Sequence, residues 1–247
     1  MVTLGLVSLL IAGVVPFFAS NYRYLFTGEQ KLLINSDIRD LTNELVETAR
    51  ASNFFVLYQS FNDQTVAGLT VRRDANNNGT VNTNDRRQAD EAGNFLLFVY
   101  YEDPYFDSRF FDGDDTNDPA IVNVRVNRLV AYWTAPNRRV AGENALYMFD
   151  TDDAKSGTSW TTPWGATLPA TIDSANPIES LLPPATATWA SHASNTLLVN
   201  DLQGLAAGSL DFVNFQNRSV LVRMKILHGN QAKRVTNTYN FTVTPRG

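Results

Sequence analysis

Val2-Thr-Leu-Gly-Leu-Val-Ser-Leu-Leu-Ile-Ala-Gly-Val-Val-Pro16-Phe-Phe-Ala19 opens the chain without a charged side chain. As a helix rising about 1.5 Å per residue, these eighteen positions reach ~27 Å, just enough for a hydrocarbon core. An apolar terminus of this kind predicts a cover of lipid or of neighbouring copies. A secretory signal peptide needs a positively charged start and a small-residue cleavage site. Here the first basic residue is Arg23, after the run, so the segment is expected to remain in the working protein.

Past the run the helical period continues. Ile34, Ile38, Leu41, Leu45 and Ala49 recur at intervals of four, three, four and four, while Asp37, Arg39, Asp40, Asn43, Glu44 and Glu47 fall elsewhere on the surface. Gly13, Pro16 and Thr27-Gly28 are breakers, and Gln30 is placed for Thr27 to open a capping box. The pattern predicts one rod from about residue 2 to 51, loosened or kinked between Gly13 and Gly28. An amphipathic helix preceded by a simple membrane anchor has the same pattern.

Such an opening, with Thr3-Leu4, small residues Gly5, Ser8, Ala12 and Gly13 among large aliphatics, Pro16, and an aromatic exit at Phe17-Phe18 with Tyr22 and Tyr24, resembles type IV pilins and the pseudopilins of type II secretion. The likeness covers about the first fifth of the chain and is one of composition. It implies a bacterial subunit held in the inner membrane before assembly into an extracellular helical filament, a homo-oligomer at the cell surface. Its assembly interface would include Leu4, Leu6, Leu9, Leu10, Val14, Phe17 and Phe18. One departure bears on mechanism. The family usually carries a glutamate at the fifth mature position, which pairs with a neighbour's terminal amine, whereas Gly5 stands here and the first acid is Glu29. Thr3-Leu4 also sits one place later than the family's usual pair, as expected if the mature start is offset or Met1 is an initiator.

The remainder predicts a single β-rich head. Cysteine is absent, so neither disulfides nor a thiolate site exist. With 44% hydrophobic and 11% aromatic residues, the chain can fill one core. Its net charge of −5 is mild and its 20 basic residues are scattered, which argues against nucleic acid as a partner. Phe54–Phe61 and Phe95–Tyr101 read as buried strands, Gly68–Arg73 as a short one and Ala145–Phe149 as another. Val122, Val124, Val126 and Val130 alternate with Asn123, Arg125, Asn127 and Leu129. Val220, Val222, Met224 and Ile226 form one face of a further strand, and Val235, Tyr239, Phe241 and Val243 one face of the last. His228-Gly-Asn-Gln231 between them supplies turn chemistry for an antiparallel hairpin. The expected class is α+β: a long N-terminal helix, residues 1–52, packed on a C-terminal antiparallel sheet head with long loops, residues 53–247.

One loop carries recognisable chemistry. Asp74-Ala-Asn76-Asn-Asn78-Gly79-Thr80-Val81-Asn82-Thr-Asn-Asp85 fits the twelve-residue calcium template. Asp74, Asn76 and Asn78 supply oxygens at positions 1, 3 and 5, Gly79 permits the wrap, and Thr80 offers its carbonyl. Asn82 stands at position 9, and Asp85 closes the shell. With two carboxylates the expected Ca2+ affinity is modest, about 10⁻⁴ to 10⁻³ M. The same stretch also reads as an Asn/Gly surface turn. Asp112, Asp114 and Asp118 form a less complete candidate, and Asp150, Asp152 and Asp153 a third.

Ser156–Gly208, rich in Thr, Ala, Pro and Ser and containing Trp160, Trp164 and Trp189, is expected to be a long loop whose hydroxyls offer acceptors for glycan. Asn78, Asn217 and Asn240 stand in N-glycosylation triplets. Catalysis is not expected. His192 and His228 lack a motif partner, and Glu102 and Asp103, adjacent on a strand, would point apart. The predicted role is therefore a filament subunit with a calcium-stabilised head; the alternatives are a membrane-anchored calcium-dependent adhesion module and a minor pseudopilin.

Overall fold

The computed structural model describes residues 2–61, 64–66, 69–71, 73–75, 81–101, 124–136, 142–156, 159–161, 166–172, 176–182, 196–197, 203–206, 211–228 and 235–246, with the side chains of 2–10, 64–66, 69–71, 153–156, 159–161, 196–197, 203–206, 228, 235 and 237 outside the description. One helix, α1 (Val2–Ala51), precedes all the strands. Its 50 residues correspond to a rod of about 75 Å.

Of the portion expected to be loosened or kinked between Gly13 and Gly28, no residue leaves the helix, which continues through both glycines and Pro16. Thr27 opens no capping box either; its Oγ1 donates to the Arg23 carbonyl at 2.8 Å, the back-bond of a residue inside a helix. Each glycine costs about 1 kcal/mol relative to alanine, yet stopping would require a second, unfavourable nucleation. Continuation is the cheaper course. At its far end, Ser52 donates from its N–H to the Thr48 carbonyl at 3.0 Å and from Oγ to the Ala49 carbonyl at 2.8 Å. The Arg246 N–H donates to the Ser52 carbonyl at 3.1 Å, tying the last residues of the chain to this corner.

The strands are β1 (Phe54–Tyr58), β2 (Gln64–Val66), β3 (Leu69–Val71), β4 (Ala92–Gly93), β5 (Phe95–Tyr101), β6 (Val124–Pro136), β7 (Glu143–Asp150) and β8 (Lys155–Ser156). They continue with β9 (Ser159–Thr161), β10 (Thr167–Leu168), β11 (Ala170–Ile172), β12 (Thr196–Leu197), β13 (Gln203–Ala206), β14 (Phe212–Phe215), β15 (Ser219–His228) and β16 (Val235–Val243). Eleven form one antiparallel sheet in the order β1-β5-β6-β7-β13-β15-β14-β4, with β16 on β15, β11 on β6 and β12 on β7. The path returns towards its start, because β4 leads through Asn94 directly into β5. Asn94 is wholly buried and serves both sides of that junction. Its N–H donates to the Gln59 carbonyl at 3.0 Å, its carbonyl accepts from the Thr134 N–H at 3.1 Å, and its Oδ1 accepts from the Asp211 N–H at 2.9 Å. At the neighbouring Gly93 a Cβ would overlap the Tyr58 carbonyl, so only glycine fits.

Both sheet faces are covered, which explains why Phe95–Tyr101 is apolar throughout. Phe95, Leu97 and Val99 point into one core with Trp133, Tyr147, Leu168, Ile172 and Ile178, whereas Leu96, Phe98 and Tyr100 point into a second core under α1. The terminal hairpin pairs as expected, from Val220 opposite Val243 to His228 opposite Val235. One face assignment is corrected. Val124 and Val126 enter the first core, but Val130 enters the second, since the register slips between Tyr100 opposite Arg128 and Tyr101 opposite Val126. A single extra residue, Asn127, sends everything beyond it to the opposite face. The expected long loop at 156–208 is also partly sheet, with β13 between β7 and β15. Strands of two to four residues are too short to display a period.

Candidate functional site

Two features merit attention as sites: α1 and the loop at 74–85. The second half of α1 is seated as its spacing predicts. Ile34, Leu41, Leu45 and Ala49 are buried, and Ile38 packs at the edge of the core beneath β5, β15 and β16. Hydroxyls fix the seat: Thr42 Oγ1 meets Tyr239 Oη at 2.9 Å, Thr48 Oγ1 meets Tyr132 Oη at 2.8 Å, and Tyr100 Oη donates to the Thr48 carbonyl at 2.9 Å. Burial raises the pKa of all three phenols, that of Tyr100 to about 12.

The first half has no such seat. From Ile11 to Leu25 every residue is exposed, Val14, Phe17 and Phe18 included, and Phe26 is the first half-buried position. Phe17 and Phe18 touch edge to face, 6.1 Å between ring centres. Leu4, Leu6, Leu9 and Leu10 belong to the same helix, but their side chains lie outside the described residues. Among the described residues no helix is long and apolar enough to cross a membrane.

The calcium-like loop is anchored at both feet. Arg73, just before it, is buried with its guanidinium 4.9 Å from the Phe61 ring centre and 4.8 Å from that of Phe95, and its Nη2 donates to the Phe61 carbonyl at 2.5 Å. Desolvation lowers its pKa to about 10. Arg86, just after the loop, makes a two-pronged ion pair with Glu179, Nε to Oε1 at 2.7 Å and Nη2 to Oε2 at 2.9 Å. Tyr58 Oη donates to the same carboxylate at 2.8 Å. Burial lowers the Arg86 pKa, but the Glu179 charge and its hydrogen bonds more than offset this, and the net shift is upward.

Between these feet, Asp85 draws the loop ends together. Its Oδ1 accepts from the Ala75 N–H at 3.0 Å and its Oδ2 from the Asn82 N–H at 2.9 Å, while Asn82 Oδ1 accepts from the Asn84 N–H at 2.9 Å. The structure thus brings position 12 of the template beside positions 2 and 9. Each Asp85 oxygen retains lone-pair capacity for a cation. Asp74 is half-buried at the loop entrance, whereas Asn76, Asn78 and Thr80 lie outside the described residues. Among the described residues no three His, Cys, Asp or Glu side chains gather as a metal cluster.

The remaining expectations divide. Asp112, Asp114, Asp118, Glu102, Asp103 and His192 lie outside the described residues, as do the side chains of Asp153 and of the three tryptophans at 160, 164 and 189. Asp150 and Asp152 are paired with Arg128. Arg128 already supplies the positive charge, bonded to Asp150 through Nε at 2.9 Å and through Nη2, with Asp152 at 3.4 Å. Asn217, in a tight turn at φ 55°, has its Oδ1 bonded by Asn214 Nδ2 at 2.7 Å. The Tyr58–Arg86–Glu179 cluster carried no sequence signal, because its members stand as far as 121 residues apart. No protein-family model, no curated protein and no solved structure matches this chain.

Proposed function

We propose that the protein is a structural subunit of an extracellular helical filament of the type IV pilus kind, carried as a membrane-held precursor and without catalytic function. The supporting observation is the set of ten large apolar side chains exposed on α1 between Ile11 and Leu33. Their complete burial is worth on the order of 20 kcal/mol before opposing terms, against an association cost of about 4–15 kcal/mol. Sister helices cover such a surface without exposing it to water at any stage, and the small side chains along it permit close approach. The head then forms the outer layer, with Asp74, Asn76, Asn78, Thr80, Asn82 and Asp85 holding Ca2+ and locking the loop between its arginine feet.

Purified full-length protein in detergent-free buffer tests the reading. Expected are sedimenting filaments, visible by cryo-electron microscopy, with α1 helices at the centre. Single copies that float with lipid vesicles would instead support a membrane-anchored adhesion module, and monodisperse protein in buffer would overturn the filament.

A further inference from the structure

The back of α1 carries a second stripe. Ile11, Val15, Phe18, Tyr22, Leu25 and Leu32 are spaced four, three, four, three and seven apart, and Glu29 occupies the skipped position. Their side chains are 56 to 70 per cent exposed. At about 100° per residue the line lies across the helix from the buried Ile34–Ala49 stripe, so the same helix that seats the head offers an opposite seam. A strict four-three alternation is the heptad repeat of a coiled coil. Ile11 to Leu32 spans about 32 Å, and an occupant must be equally long and apolar.

We infer that this occupant is the same stripe of a second copy, parallel and displaced along the axis by one heptad. The inference rests on the filament reading and specifies its helix register. Charge decides between alignments. Of the three charged residues between 11 and 36, Arg23 and Lys31 stand at outward positions and Glu29 alone lies in the seam. A parallel pair in register would set Glu29 against Glu29 in an apolar, water-poor line, where like charges repel strongly. A shift of seven residues removes that like-charge layer. Glu29 of one copy then meets the Ser36 hydroxyl of the other, whose own Glu29 meets the Tyr22 hydroxyl of the first, both donors to a carboxylate. Leu25 meets Leu32, Phe18 meets Leu25 and Ile11 meets Phe18, so the apolar layers are retained. Residues 11–29 of one copy then face residues 18–36 of the other, a heterologous pair; a third copy must use another side of the helix, which is exposed all round between Ile11 and Leu25.

Cysteine cross-linking reads the register directly, since the natural chain has no thiol. Copies carrying Leu25→Cys are mixed with copies carrying Leu32→Cys and oxidised after assembly; both positions are exposed, and an unchanged melting temperature of the head confirms folding. The expected product is the mixed dimer, at least tenfold above the Leu25→Cys homodimer. Adding Glu29→Leu to both partners should raise that homodimer severalfold by permitting the in-register alignment. A dominant homodimer without this change overturns the displacement while leaving the filament standing. Filaments that yield neither cross-link overturn the seam alone. Protein that fails to assemble and is recovered as single copies on phosphatidylglycerol vesicles overturns both the seam and the filament.

Discussion

The two halves of α1 are made from the same apolar residue types and differ in what surrounds them. From Ile34 to Ala49 the apolar positions form one stripe and the sheet covers it; from Ile11 to Leu25 apolar residues occupy every side and solvent surrounds them. A stripe needs one partner surface, which the chain itself provides. A helix that is apolar all round needs neighbours on several sides, which its own head does not supply. Stability and assembly are therefore separable in this molecule, and changes in one half should leave the other intact.

The largest effect is expected where that separation is tested most directly. Val15→Asp with Phe18→Asp should raise the critical concentration for assembly about a thousandfold. The head's melting temperature should stay the same, as read by sedimentation alongside calorimetry; a head that melts with the assembly defect would break the comparison. Glu179→Ala acts on the other side. It leaves Arg86 buried without its counter-charge and should destabilise the head by about 3–5 kcal/mol in urea unfolding, with assembly by surviving folded protein unchanged. Leu45→Ala empties part of the seat and should cost about 2–4 kcal/mol by the same measurement.

Alkaline titration sharpens the comparison without mutation. Folding raises the Tyr100 phenol from about 10 to about 12 and raises Tyr58, Tyr132 and Tyr239 as well, all by burial first. Such groups favour the folded state fully below the unfolded value near 10 and withdraw that support as pH climbs through their folded values. Ultraviolet absorbance of phenolate should therefore show the seated phenols ionising late, above the ordinary value and as the head unfolds. The smallest effect belongs to calcium. At 1 mM Ca2+ and an affinity near 10⁻⁴ M, chelation should remove about 1.4 kcal/mol. Asp74→Ala should abolish the difference, and an unchanged melting temperature in chelator would count against the site.

Where both partners of a contact lie close in the chain, residue identity alone was informative. The stripe Ile34–Ala49 and the hairpin of β15 and β16 are legible because their periods of 3.6 and two persist for nine residues or more. The feet of the 74–85 loop were not, since Arg73 finds its aromatic cage and Arg86 its carboxylate only after distant strands converge. Asn127 defeated the alternation in β6 for a related reason: a bulge is chosen by the partner strand, and the slip shows only when Tyr100 and Tyr101 are paired.

Local spacing by itself determined that this chain begins as a long helix, that the helix has a face for a sheet, and that its opening residues are too apolar to stand in water unaccompanied. Long-range packing settled that short strands in the Ser/Thr-rich region would complete the sheet, and which buried acid would hold Arg86. The physical reason is range. Helical and strand periods are set by neighbours a few residues away, whereas closing the strand path at Asn94 and desolvating an ion pair depend on segments that meet only when the entire head has condensed.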